Sequence, residues 1–268
     1  AVSVKELSAN LLTPFLPGEI AWDGSLSGNA KVQINKGQDP QINAVVYTDN
    51  GRIGIRPVDP QDDPTQIQYQ RLSLIARTQP EGLSVRLDAK TSGSGSGYVD
   101  VVIDPKSPDK NVNGALVLDD INLSIFRPFI PSLRSISGTA SLAAGLSGPL
   151  KGPMIYGEFK LVDGGVELID LPVNLSNIQL TSSIRGNKAN LKGSFNSGDG
   201  TGNLTGNLNW AEGLEVNAKL VGKNLSVRQP PLLYAEINPT ITLEADVPAQ
   251  RAVIKGVVDV IEATIRPA

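Results

Sequence analysis

The chain has 268 residues, a net charge of −3, 27 Gly, 19 Pro, and neither Cys nor His. Slight acidity argues against a nucleic-acid partner, which requires a basic face, and the missing Cys excludes disulfides and thiolate metal sites. The missing His removes the commonest general base and transition-metal ligand, and with it most routes to hydrolase or metalloenzyme chemistry. Aromatics are only 4%, too few to fill a large globular interior. Abundant Val, Ile and Leu with so few rings predict a thin, extended β structure instead.

Ala1–Lys5 does not read as a charged segment leading into an apolar one, so no signal peptide is expected. No run approaches the length needed to span a bilayer as a helix. Leu7, Leu11 and Leu12 precede Pro14, which predicts a cap or one to two turns of helix over 8–16. From Ile20 to Ile34 apolar or small residues alternate with mostly polar ones. Period two over that length predicts a strand with one apolar face. Residues 57–66 and 104–110 are Pro- and Asp-rich loops. Alternation returns at Leu83–Ala89, Val99–Ile103, Val112–Leu118 and Ile136–Leu146, and later at Leu204–Trp210, Leu214–Leu220 and Ile254–Val260.

Between these runs, 147–180 carries the densest punctuation. A strand ends at Gly148-Pro149, and a second begins after Gly152-Pro153, because proline cannot donate to a ladder. Asp163-Gly164-Gly165 reads as a hairpin turn, with a return strand through Val166 and Leu168. The expected fold is all-β and mostly antiparallel.

The chain also repeats. LLTPFLP at 11–17 returns as IFRPFIP at 125–131, placing Pro14 and Pro128 114 positions apart; a second short helical element is therefore expected at 122–130. SGSGSGYV at 92–99 returns as SGDGTGNL at 197–204. These offsets predict two units of β structure, 1–117 and 118–225, then a partial third over 226–268, within one continuous domain.

Groups with chemical potential are few. Asp59, Asp62 and Asp63 lack the glycine and terminal glutamate of a calcium loop and read as a solvated loop. Asp119-Asp120 reads as a cap for the helical element that follows. The Gly-rich runs at 93–97 and 198–202 do not continue into Lys-Ser/Thr and a helix, so they read as tight turns, not phosphate cradles. No pair of carboxylates is placed for glycosidase-type chemistry. The expectation is a protein without catalytic residues, metal or cofactor.

The apolar stripe is the remaining feature. Gly24, Gly28, Ala30, Gly138, Ala140 and Gly206 occupy inward positions, so two such faces would interdigitate weakly. A sheet curved around an unfilled apolar channel, a site for acyl chains, fits that composition better. Ile20, Trp22, Leu26, Val85, Leu87, Leu142, Leu146, Leu204, Leu208, Val216 and Leu220 are the expected groove residues.

The stretch SGxxxLxxGLSGPLKGPMIYGEFKLVDGGVELIDLPVNLSNIQL at 137–180 resembles the C-terminal conserved region of the TamB family, within the AsmA-like group. So do LKGSFNSGDGTGNLTGNLNW at 191–210 and the paired LxPF elements. The resemblance implies a long, curved, half-tubular sheet (a β-taco) with an apolar concave interior, in the periplasm. It also implies an inner-membrane anchor outside this chain, which would make the chain an excised C-terminal portion. Further implications are an outer-membrane Omp85-type barrel partner (TamA) and a role in phospholipid movement and outer-membrane assembly. Phospholipid acyl chains are then the expected cargo. The alternative is binding of unfolded outer-membrane β-barrel precursors, or of the partner barrel, by strand addition.

Overall fold

Alternation without helical periodicity leaves the backbone one way to satisfy its polar groups, which is pairing between strands. A computed structural model describes residues 1–16, 20–35, 40–56, 65–130, 132–169, 173–229 and 232–266. Among the described residues, seventeen strands form an antiparallel sheet, accompanied by two short 3₁₀ helices. The all-β, antiparallel fold class is as expected. No helix among the described residues is long and apolar enough to cross a membrane. The acidic loop holding Asp59, Asp62 and Asp63 lies outside the described residues.

The chain divides into two compact units, 1–129 with 141–155 and 130–140 with 156–268. In the first, β1 (Val2–Ser8) pairs with β3 (Ser25–Gln33), and both β3 and β2 (Ile20–Asp23) pair with β4 (Gln41–Ile55). The ladder continues through β5 (Thr65–Gln79), β6 (Gly82–Thr91), β7 (Ser96–Ile103) and β8 (Asn111–Asn122). Strand β9 (Leu133–Pro149) gives its first half to the second unit and its second half to the first. The second unit continues with β10 (Met154–Leu168), β11 (Asn174–Gly186), β12 (Lys188–Ser197) and β13 (Gly200–Asn209). Then come β14 (Glu215–Lys223), β15 (Leu225–Gln229), β16 (Leu233–Asp246) and β17 (Arg251–Ile265). There β16 pairs with β14, β15 and β17.

The helical elements fall inside the expected spans, at Ala9–Phe15 and Leu123–Phe129, each with a proline within it. Asp119 and Asp120 do not cap the second one. Asn122 does: its Oδ1 accepts the Ser124 N–H at 3.0 Å. Asp120 instead has φ 52°, and its N–H donates to Ser141 Oγ at 3.4 Å. Both Gly-rich runs are turns, as expected: Gly93 and Gly95 join β6 to β7, and Gly198-Asp199 joins β12 to β13.

Two further readings need correction. Residues 20–34 are not one strand: β2 and β3 separate at Gly24, where the Tyr69 hydroxyl occupies the space a side chain would need. Asp163-Gly164-Gly165 is not a turn. It lies within the unbroken β10, with Asp163 at φ 51°. Gly164 packs against Gly138 and Ile178 there, and one left-handed residue in a continuous strand marks a bulge. The hairpin turn sits between β9 and β10, where Gly152 N–H donates to Pro149 O at 3.1 Å. Asp tolerates the left-handed region and a β-branched residue does not. Asp163→Gly is therefore expected to leave the urea midpoint unchanged, whereas Asp163→Val lowers stability by about 1–2 kcal/mol.

A left-handed residue inside a strand also keeps the apolar face constant. The pairs Asp49–Arg71 and Gly51–Tyr69 bracket Asn50 and Gln70, and Asn50 has φ 54°. The apolar side therefore runs Val46, Thr48, Gly51, Ile53 on β4 and Leu74, Leu72, Tyr69, Ile67 on β5. The small core of the first unit lies beside this line, where Ala9, Leu26, Thr48, Ile55 and Tyr69 are buried. In the second unit Leu133, Ala140, Ala189, Phe195 and Leu225 are buried, with Ser182 and Ser197.

Candidate functional site

Register places the expected groove residues into cross-strand rows, because directly opposed residues in an antiparallel sheet share a face. In the first unit one row reads Val4, Gly28, Val46, Leu74, Leu87, Val99, Leu116. The adjacent row reads Val2, Ala30, Ala44, Ala76, Val85, Val101, Gly114. Val85 and Leu87 therefore lie side by side, and Leu26 joins the next row opposite Thr48. In the second unit Leu204 faces Leu220, which faces Ile241. Leu208 faces Val216 in parallel, and Gly206 with Ala218 forms a shallow row between them.

Packing on this face is incomplete. Of the eleven expected residues Leu26 is buried, Leu87 is 47% exposed and the other nine are half-buried. Opposed neighbours Val46, Leu74 and Leu87 are 36%, 41% and 47% exposed. In a two-layered sandwich, residues at the centre of such a row would be closed off by the facing sheet. Val46, Leu74 and Leu87 thus place three large aliphatic side chains in register and open to solvent. Val46 and Leu74 were not singled out from sequence. Their strands mix apolar and polar residues unevenly around the bulges, and only the register reveals the row.

Ile20 and Trp22 lie on β2, beyond the break at Gly24. Ile20 opposes buried Ile55, and Trp22 opposes Ile53. The Trp22 Nε1–H donates to Tyr69 Oη at 2.9 Å, which also shares a 2.9 Å hydrogen bond with Thr48 Oγ1. Trp22 is thus tied into a buried polar hub as well as carrying apolar surface. Leu142 and Leu146 flank buried Ala144 on one side of β9. Trp210 follows β13, where its N–H donates to Asn187 O at 2.9 Å.

The opposite face of the first unit mixes the half-buried Val45, Ile75, Val102 and Val117 with self-paired charges. Arg86 reaches Asp88 and Asp100, both at 2.8 Å, and lies over the Tyr98 ring at 4.6 Å. The hydrogen bonds to Asp88 and Asp100 raise the guanidinium pKa above its ordinary value, so Arg86 stays charged. Arg52 pairs with Asp23, and Arg71 with Asp49. Such exposed pairs contribute little stability, but they fix which face meets water.

Strand β17 is exposed along almost its whole length, as the shorter β1 also is. It pairs along β16, yet nearly all of its residues are exposed on both faces, including Ile254, Val257, Val260 and Ile265 at 61–74%.

Residues 1–161 match the family model for the N-terminal domain of TamB. The chain is also similar to the translocation and assembly module subunit TamB of Haemophilus influenzae, at 25% identity over 258 residues. That alignment covers 94% of this chain but 19% of the relative, so the chain spans about a fifth of that protein. No solved structure matches. The expected placement in the C-terminal conserved region is corrected by these findings, because the domain that matches is N-terminal. Gly/Pro punctuation marks a repeated hairpin and does not encode where along a family the repeat belongs.

Proposed function

The chain belongs to the TamB family, and on that premise we propose that it is a non-enzymatic segment of a lipid conduit. Acyl tails lie along the apolar face while headgroups remain in water. The observation that carries this reading is the open row Val46, Leu74, Leu87. At ~0.8 kcal/mol per buried CH₂, covering half of a roughly sixteen-carbon tail contributes about 6 kcal/mol. That holds a lipid and still lets it slide. The setting is the periplasm between the two membranes, with an outer-membrane barrel of the Omp85 type as partner and phospholipid as cargo. Native mass spectrometry of the purified chain tests it: phospholipid masses on the folded protein support the conduit, and a ligand-free spectrum from lipid-containing cells refutes it.

A second reading rests on β17. A long aliphatic strand open on both faces is a template for strand addition, which suits β-barrel precursors or a barrel strand. Proline at Val258 and Val260 is expected to abolish capture of an unfolded outer-membrane protein in a pull-down, with lipid content unchanged. Retained capture removes this reading. Loss of lipid together with capture would show one shared surface.

A further inference from the structure

The polar side of the second unit carries an order that acyl binding on the other side does not use. Across six strands, directly opposed residues read Thr181, Lys192, Thr205, Lys219, Thr242, Lys255. Hydroxyl and ammonium alternate without a break. Two residues along each strand, the neighbouring row reads Ser183, Asn190, Asn207, Asn217, Glu244. Between the rows lies a trough of about 440 Å³ across β12, β13, β14 and β16. Its floor is the backbone of Leu191, Gly206, Ala218 and Leu243. Lys192 and Lys219 are exposed and make no ion pair among the described residues, while Lys255 lies 3.9 Å from Glu244.

We infer that this trough binds a linear acidic polysaccharide laid across the strands. Neighbouring strands are about 4.8 Å apart, so lysines on every second strand recur at roughly 10 Å. That spacing suits a chain bearing one anionic group for every two sugar units. Lysine supplies the point charge for a carboxylate or phosphate. The facing wall of asparagine carboxamides offers donors and acceptors together, as sugar hydroxyls require. A polyphosphate has acceptors alone and leaves the carboxamide oxygens unmatched. Single-stranded nucleic acid needs aromatic platforms, and no aromatic side chain lines the trough.

The test titrates a fluorescein-labelled hyaluronate decasaccharide, with one carboxylate per disaccharide, into the full chain at low ionic strength and reads anisotropy. Expected is saturable binding that weakens with salt. Lys192→Gln with Lys219→Gln lowers affinity about fivefold or more. Asn207→Leu with Asn217→Leu also lowers it, at constant charge, while Lys223→Gln outside the trough leaves it unchanged. Far-UV circular dichroism confirms that each variant is folded. The proposal is overturned by absence of saturable binding or by equal affinity in the lysine variant. It is also overturned if polyphosphate or anionic phospholipid vesicles displace the label at lower concentration than unlabelled hyaluronate. Those outcomes assign the row to a phosphate chain or a membrane. Acyl binding uses the opposite face, so either result leaves the conduit reading untouched.

Discussion

A chain carrying Leu74→Asp and Leu87→Asp is expected to fold normally and, on the proposed conduit reading, to purify without bound phospholipid. Both side chains are more than two-fifths exposed, so the new carboxylates reach water. The lost apolar burial costs about 1 kcal/mol at each site. An acyl tail lying over the same row would have to strip water from two charges, a penalty of several kcal/mol that exceeds its own transfer gain. Leu204→Asp with Leu208→Asp makes the same test in the second unit, where those residues oppose Leu220 and Val216. Photo-cross-linking from Val46 in each variant, alongside thermal unfolding, separates lost cargo from lost fold. Normal lipid cross-linking in a folded Leu74→Asp/Leu87→Asp chain would sink the conduit.

The largest effect on stability is expected at Tyr69, which is 2% exposed. Tyr69→Ala should destabilise by about 3–5 kcal/mol, from the lost ring and the cavity it leaves. Tyr69→Phe should cost about 1–3 kcal/mol, because Thr48 Oγ1 and Trp22 Nε1 lose their shared partner in a buried setting. The ring depends in turn on two glycines. A Cβ on Gly24 would meet the Tyr69 hydroxyl, and one on Gly51 would meet the hydroxyl, the ring and the Asp23 carbonyl, so Gly24→Ala should cost about 1–3 kcal/mol through forced repacking. Removing the hydroxyl makes room at Gly24, where the ring carbon behind it stands at ordinary contact distance, and Gly24→Ala should therefore cost less in a Tyr69→Phe background than alone. Urea unfolding of the four proteins in that cycle measures the coupling. Strict additivity would mean that the hydroxyl does not set the spacing.

Much of this was legible in the sequence because a strand with one wet face writes its geometry at period two. Leu83 to Ala89 and Leu204 to Leu208 announced both their strands and their faces. Pro14 and Pro128 announced the two 3₁₀ elements. What failed to show were the insertions. Asn50, Asp163 and Asn177 occupy left-handed positions inside strands whose local composition also suits a turn, and the chain beyond each changes parity without any change in residue type. Asp163-Gly164-Gly165 was misread for that reason: bulge and turn both want small or polar residues at positive φ. Tyr69 gave no signal either. Its role arises from Gly24 and Gly51, distant in sequence, which meet only once the ladder is in register. The residues expected to line a groove share faces by register, but their exposure depends on what covers them, and no single strand carries that information.

The shallow interior has a mechanical corollary. Most side chains here meet only those one strand away, so neither unit has a central knot whose loss would release everything at once. Stability in such a ladder is approximately a sum of neighbour-to-neighbour terms. Hairpins can then be gained or trimmed at an end while the remainder keeps its shape, and local fraying becomes a graded property that follows distance from the nearest buried cluster.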